Sequence, residues 1–259
     1  LTFNDPNLAG NYFTCCLALL LATSVVRRRW SRVGAGSLIL LAIIFTGSNG
    51  AAIGVAVVVA IGLLGAVRRR LGAPALIAAM ALAAVAVIVL APHVSLTQIQ
   101  QKAADSIPVL HDSLGRADES SGTREVLVSE AFNLYLHGDL AGAGPGRTKA
   151  SLQAAAAPYV KEAHNDYTAT LVERGALGGA GLVLLIWVIG TRFSRVSGWQ
   201  QPPWVRELLP RPEYLLGLVC AFATAGLFYE VLHFRHFWAL LGMGAGADPG
   251  LLLTKRRVS

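Results

Sequence analysis

The chain has 259 residues, of which 54% are hydrophobic and 14% charged, with a mean hydropathy of +0.54. Soluble domains carry about 25% charged residues, so this deficit excludes an ordinary water-soluble enzyme and points to lipid as solvent. The formal charge of +7 would suit a nucleic-acid binder, but the basic residues gather at the ends of apolar runs, which argues against one.

Seven apolar segments follow one another, at about 9–26, 34–46, 50–67, 73–92, 168–190, 214–229 and 237–253. Basic groups punctuate them: Arg27, Arg28, Arg29 and Arg32 after the first, Arg68, Arg69 and Arg70 after the third. Arg192, Arg195, Arg206 and Arg211 follow the fifth, and Lys255, Arg256 and Arg257 close the chain. If each segment spans once, these four groups share one side, which the positive-inside rule makes the cytoplasm. Of the 15 acidic residues only Glu207, Glu213 and Asp248 then fall inside. The expected fold is an all-α membrane protein of about seven transmembrane helices with one large helical outer loop. Its divisions are four helices in 1–92, an extracytoplasmic catalytic loop at 93–167, and three helices with a cytoplasmic tail in 168–259. The short outer connections are 46–50 and 230–236. Cys15, Cys16 and Cys220 lie inside apolar runs without metal-ligand spacing or an evident disulfide partner, and read as packing residues. The chain starts at Leu1 without an n-region or cleavage site, so it is expected to be part of a longer protein with no removable signal peptide in view.

A loop as long as 93–167 is normally functional or disordered, and helical patterning favours function here. Residues 94–106 and 124–137 form amphipathic stretches, and a short helix is expected near 148–156. Between the latter two, Ala-Gly-Ala-Gly-Pro-Gly at 141–146 marks a sharp turn; it follows a helix, so a nucleotide-binding loop does not fit. The spans are almost free of ionisable residues, which disfavours an ion-driven carrier and moves attention to the loop and its borders.

His164 is the leading candidate for chemistry. It precedes Asn165, a strong N-cap type, so it sits at the positive end of a helix dipole that favours the neutral imidazole. A neutral ring can take a proton from an attacking hydroxyl, and the same helix end attracts phosphate. The alternative is an interfacial histidine that merely bonds a loop carbonyl. Arg124, Arg147, Lys149 and Lys161 are the nearby cations, and a guanidinium suits a diphosphate by its paired donors. Each is otherwise a solvated surface charge, the better reading for the two lysines. Arg235, between His233 and His236, can serve the same cavity or anchor to lipid head groups. The six histidines show no zinc spacing, so no metal site is expected.

His164-Asn165, nine residues, then Gly175-Ala-Leu-Gly178 resembles the signature of the O-antigen ligase and polymerase superfamily. Phe3-Asn-Asp-Pro-Asn7 resembles that family's asparagine-rich helix start. Gly122-Thr-Arg124 with Gly142–Gly146 resembles its central outer loop, and Arg235 with Trp238 its closing pair. The likeness runs from about residue 3 to 245. It implies a GT-C-like fold and a glycosyltransferase of the cytoplasmic membrane that needs neither metal nor nucleotide and takes no cofactor. The donor would be an undecaprenyl-diphosphate-linked glycan, and the acceptor another glycan, a glycolipid or a protein hydroxyl. By that likeness His164 assists the acceptor hydroxyl or the departing diphosphate and Arg124 holds the diphosphate. Asn165, Tyr167, Arg147 and Arg235 would bind substrate, while Gly175 and Gly178 would be structural. One departure is Ser48-Asn49-Gly50, where the family often has Ser-Arg-Gly. It keeps an inactive scaffold subunit open, beside a membrane carrier for a polysaccharide precursor or small anion.

Overall fold

The computed structural model describes residues 5–90, 126–137, 141–155, 165–196 and 203–246, with side chains through residue 82 in the first stretch. The stretch 94–106 and the candidates Arg124, Lys161 and His164 lie outside the described residues. Among the described residues every regular element is helical. In chain order they are α1 (Pro6–Ala22), α2 (Arg29–Thr46), α3 (Asn49–Leu90), α4 (residues 126–137), α5 (Thr148–Ala154), α6 (Asp166–Val196), α7 (Pro203–Leu208), α8 (Glu213–Ala225) and α9 (Arg235–Gly246), with a 3-10 turn at Val231–His233. Three, α2, α3 and α6, hold stretches long and apolar enough to cross a membrane. The chain divides into two compact units, Leu1–Ala117 with Glu207–Leu218 and Asp118–Arg206 with Val219–Ser259.

In the first unit α1 starts at Asp5, whose carboxylate accepts the Asn7 N–H at 2.8 Å, with Pro6 at the first helical position. Proline is tolerated there because that N–H has no helical partner anyway. Along α2 only Ile43 is buried, while Leu38, Leu41, Ile44 and Phe45 are exposed. A helix bare of polar cover on so many sides suits hydrocarbon rather than water. The runs expected at 50–67 and 73–92 are the two arms of α3, which breaks at Gly72 just after the three arginines. Ser48 opens α3: its hydroxyl accepts the Ala51 N–H at 3.3 Å and donates to Asn7 Oδ1 at 2.9 Å. Asn7 and the Ser48-Asn49-Gly50 element therefore meet. The first turn of α8 packs Tyr214 over Gly62 and Glu213 over Gly65, and Glu213 pairs with Arg69, whose Nη1 donates to Oε2 at 2.6 Å.

In the second unit α6 departs from the single straight span expected at 168–190. It breaks at Gly175, where φ is 62° and ψ −161°. The positive φ is accessible to glycine and strained for other residues. The two arms double back on each other. A Cβ at Gly178 would stand 3.3 Å from the Thr170 carbonyl oxygen, whereas eight residues of unbroken helix rise about 12 Å. The long arm, 176–196, is roughly 31 Å at 1.5 Å per residue, the thickness of a bilayer's hydrocarbon. It has no charged residue before Arg192, and its Leu177, Val183, Leu184 and Trp187 are exposed.

The short arm, 166–174, is held on its side and at its end. Ala131 of α4, with Leu134 and Tyr135, packs against Val172 and Ala169. The Ala143 N–H donates to the Val172 carbonyl at 2.8 Å and the Gly144 N–H to the Glu173 carbonyl at 2.9 Å. These carbonyls end a helix and lack helical donors, so the glycine-rich run acts as their cap. Gly142 lies so close that an added Cβ would come within 2.5 Å of Gly175 N and 2.6 Å of Arg174 N. The Thr148 hydroxyl donates to Glu173 Oε1 at 2.9 Å, tying α5 to the same corner.

Candidate functional site

Asn165 starts the short arm as its sequence suggests. Its Oδ1 accepts the Tyr167 N–H at 2.9 Å and the Thr168 N–H at 3.0 Å, satisfying two of the four donors that a helix start leaves open. That leaves its Nδ2 free to face away, and it donates to the Leu227 carbonyl at 3.0 Å. Both Asn165 and its neighbour Asp166 are buried. Tyr167 is half-buried, with its hydroxyl donating to the Ala223 carbonyl at 2.7 Å.

Asp166 completes a clasp between residues 165–167 and 223–232. Its N–H donates to the Gly226 carbonyl at 2.8 Å, while its Oδ2 accepts the N–H groups of Val231 at 2.7 Å and Leu232 at 3.2 Å. A carboxylate in the first turn also meets the positive end of the arm's dipole. The Leu232 carbonyl in turn accepts from Trp238 Nε1 at 2.8 Å. The Asn165 motif and the closing Arg235–Trp238 pair, some seventy residues apart in sequence, are thus joined through one carboxylate and a 3-10 turn.

Arg235 is the first residue of α9 and is exposed. Next to it His236 is half-buried, and burial pushes its imidazole below the usual histidine range. His233 Nδ1 lies 2.9 Å from Glu230 Oε2. Arg147 is exposed too, but it precedes α5 at the opposite end of the short arm, by Glu173. Nine residues of helix separate that end from Asn165, about 14 Å. Of the expected cations among the described residues, Arg235 follows the segment that is clasped to the Asn165 end, and Arg147 stands at the other end of the short arm.

Gly175 and Gly178 form the corner between the arms rather than a ligand loop. Asp166 was not among the residues singled out from sequence. Its only local signal is an acidic residue in a helix's first turn, which commonly means nothing beyond the dipole.

The comparison with known families bears on this same stretch of chain. A family model described as O-antigen ligase matches residues 34–183, which take in most of α2, all of α3 to α5, the glycine-rich run, the Asn165 cap and the Gly175–Gly178 corner. No curated protein and no solved structure matches the chain. Covering more than half of the 259 residues, the family match makes this chain a member of the O-antigen ligase family.

Proposed function

We propose that the protein transfers a glycan from an undecaprenyl-diphosphate carrier to an acceptor hydroxyl on the outer face of the cytoplasmic membrane. In the reaction the acceptor oxygen attacks the anomeric carbon, the bond from that carbon to the diphosphate oxygen breaks, and the carrier leaves as undecaprenyl diphosphate. The acceptor's proton goes to a base, the role assigned to the His164 imidazole. Arg124 is assigned the leaving diphosphate, whose growing negative charge a paired guanidinium donor offsets. Arg235 is assigned a second contact to the same phosphates, while Asn165 and Tyr167, whose side chains are spent on the helix start and the clasp, position the residue before them rather than bind the glycan. Seven spans, a GT-C-like arrangement and a large extracytoplasmic loop belong to the same reading.

The observation that carries it is the clasp. Residues immediately after His164 are fixed by five hydrogen bonds to the segment that leads into Arg235. A transferase needs its base and its phosphate-binding cation in fixed relation, and the clasp ties together the segments that carry the two assigned residues.

The test uses the full-length protein in its own host, comparing wild type with His164→Ala and Arg124→Ala at equal membrane levels. Lost surface glycan with accumulated lipid-linked intermediate is the expected result. Unchanged glycan in both variants would remove the assignment.

A further inference from the structure

The first unit gathers its arginines at one end. Arg27, Arg28, Arg29 and Arg32 stand at the α1–α2 connection, and Arg68, Arg69 and Arg70 just before the break in α3 at Gly72. One strap, residues 207–213, ties the two groups together. The Ser24 N–H donates to the Leu208 carbonyl at 2.9 Å and the Arg211 N–H to the Ala22 carbonyl at 3.2 Å, while Arg69 Nη1 donates to the Pro210 carbonyl at 3.3 Å. From Leu208 to Pro210 even extended chain reaches only about 7 Å. With Arg211 on the strap itself, eight arginines share this end with two carboxylates, Glu207 and Glu213, among the described residues. Glu213 is already engaged by Arg69, and Arg32 spends its Nη2 on the Thr23 carbonyl at 2.7 Å. Arg27, Arg28, Arg29, Arg68 and Arg70 are exposed, with no anionic partner among the described residues. Guanidiniums held this close repel one another unless anions lie between them.

We propose that this end of the first unit binds anionic phospholipids of the cytoplasmic leaflet through their phosphodiester groups. Two observations choose lipid over other polyanions. Val25, Trp30 and Leu71 are exposed beside the guanidiniums, and α2 runs on from Arg29 and Trp30 into the bare apolar surface of Leu38, Leu41, Ile44 and Phe45. A nucleic acid or an acidic protein would leave those side chains in water, whereas the headgroup layer accepts indole and guanidinium together and continues into hydrocarbon. The second observation is the choice of cation. The four lysines of the chain, Lys102, Lys149, Lys161 and Lys255, all lie elsewhere. Membrane topology needs only positive charge, which either residue supplies, but a guanidinium fork grips two oxygens of one phosphate. The bound headgroups brace the strap, and with it the joint between α1, α3 and α8. This inference does not rest on the transfer reaction.

The experiment purifies the full chain in mild detergent, adds equal amounts of phosphatidylglycerol and phosphatidylcholine, and counts each bound lipid by native mass spectrometry. Wild type should retain phosphatidylglycerol in preference. Each basic residue at an anionic lipid surface is worth about fivefold in binding, so Arg28→Gln, Arg68→Gln and Arg70→Gln combined should cut its retention by at least about tenfold. The control removes two exposed cations of the second unit, Lys149→Gln with Arg174→Gln, and should retain phosphatidylglycerol as wild type does. Delipidated wild type supplies a second measurement that needs no variant. Its melting temperature should rise with phosphatidylglycerol and stay unchanged with phosphatidylcholine, inorganic phosphate or a short DNA duplex. Equal retention of the two lipids by wild type, or equal loss of phosphatidylglycerol in the triple variant and the control, overturns the proposal. So does stabilisation by phosphate or DNA without phosphatidylglycerol, which would give these arginines to a soluble anion.

Discussion

Replacing Asp166 by Ala removes the acceptor for two backbone donors at once. The Val231 N–H lies 2.7 Å from Oδ2 in a residue only 2% exposed, and the Leu232 N–H lies 3.2 Å away in a half-buried one. A buried donor left without a partner costs about 1–3 kcal/mol, and the partly wet Leu232 costs less than Val231, so the total is about 2–4 kcal/mol. The remaining bonds, from Asn165, Tyr167 and the Asp166 N–H, stay in place and keep the variant folded. For a chain of this size each kcal/mol moves Tm by roughly 2–4 °C, so the melting temperature in detergent should fall by about 5–15 °C. Asp166→Asn keeps one acceptor oxygen and should lose less than half as much. Hydrogen exchange adds a local readout, because the Val231 amide should exchange much faster in Asp166→Ala. An unchanged Tm together with wild-type protection at Val231 would refute the clasp.

Gly142→Ala should destabilise by about 2–4 kcal/mol, because the new methyl meets backbone atoms of residues 173–175 that cannot yield and the native φ is +83°; thermal unfolding beside Gly146→Ala, which meets nothing within 4 Å, checks it. Arg69→Ala leaves the Glu213 carboxylate, whose side chain is 8% exposed, without its cation. Arg69 is itself about a third exposed, so the loss should be about 1–2 kcal/mol rather than that of a sealed pair, and Glu213→Gln in the same background should recover part of it. His236 has its pKa lowered by burial, so the folded state disfavours the charged ring. Its contribution is therefore complete above pH 6.5 and shrinks as pH falls through the lowered value. Melting curves at pH 7.5 and 5.5 should show wild type losing ground to His236→Phe at the lower pH.

Much of this architecture was legible from residue type alone, because lipid imposes a simple rule on side chains. Apolar runs marked the helices, and Arg68, Arg69 and Arg70 marked the break in α3 that the structure places at Gly72. Asn165 was legible as a cap because the N–H donors it accepts from lie two and three residues ahead in sequence. The reversal at Gly175 was not. Gly175 and Gly178 stood out only as part of the family signature, and an amphipathic pattern looks the same in a straight helix and in two arms that fold back. Asp166 was hidden for a different reason. The N–H groups it accepts from belong to Val231 and Leu232, and every residue but proline offers such a donor, so nothing in those side chains announces the pairing. Nor could sequence separate Arg147 from Arg235, since which end of a nine-residue arm each one meets is set by tertiary packing.

The central claim is that this member of the O-antigen ligase family moves a lipid-linked glycan through His164. The most direct measurement reconstitutes the full-length protein in liposomes with an undecaprenyl-diphosphate-linked glycan and an acceptor. Released undecaprenyl diphosphate and glycosylated acceptor are then followed together. Wild type should form both in equal amounts, and His164→Ala should form neither while keeping the wild-type melting temperature. Equal turnover by His164→Ala, or carrier consumed without any glycosylated acceptor, would contradict the account.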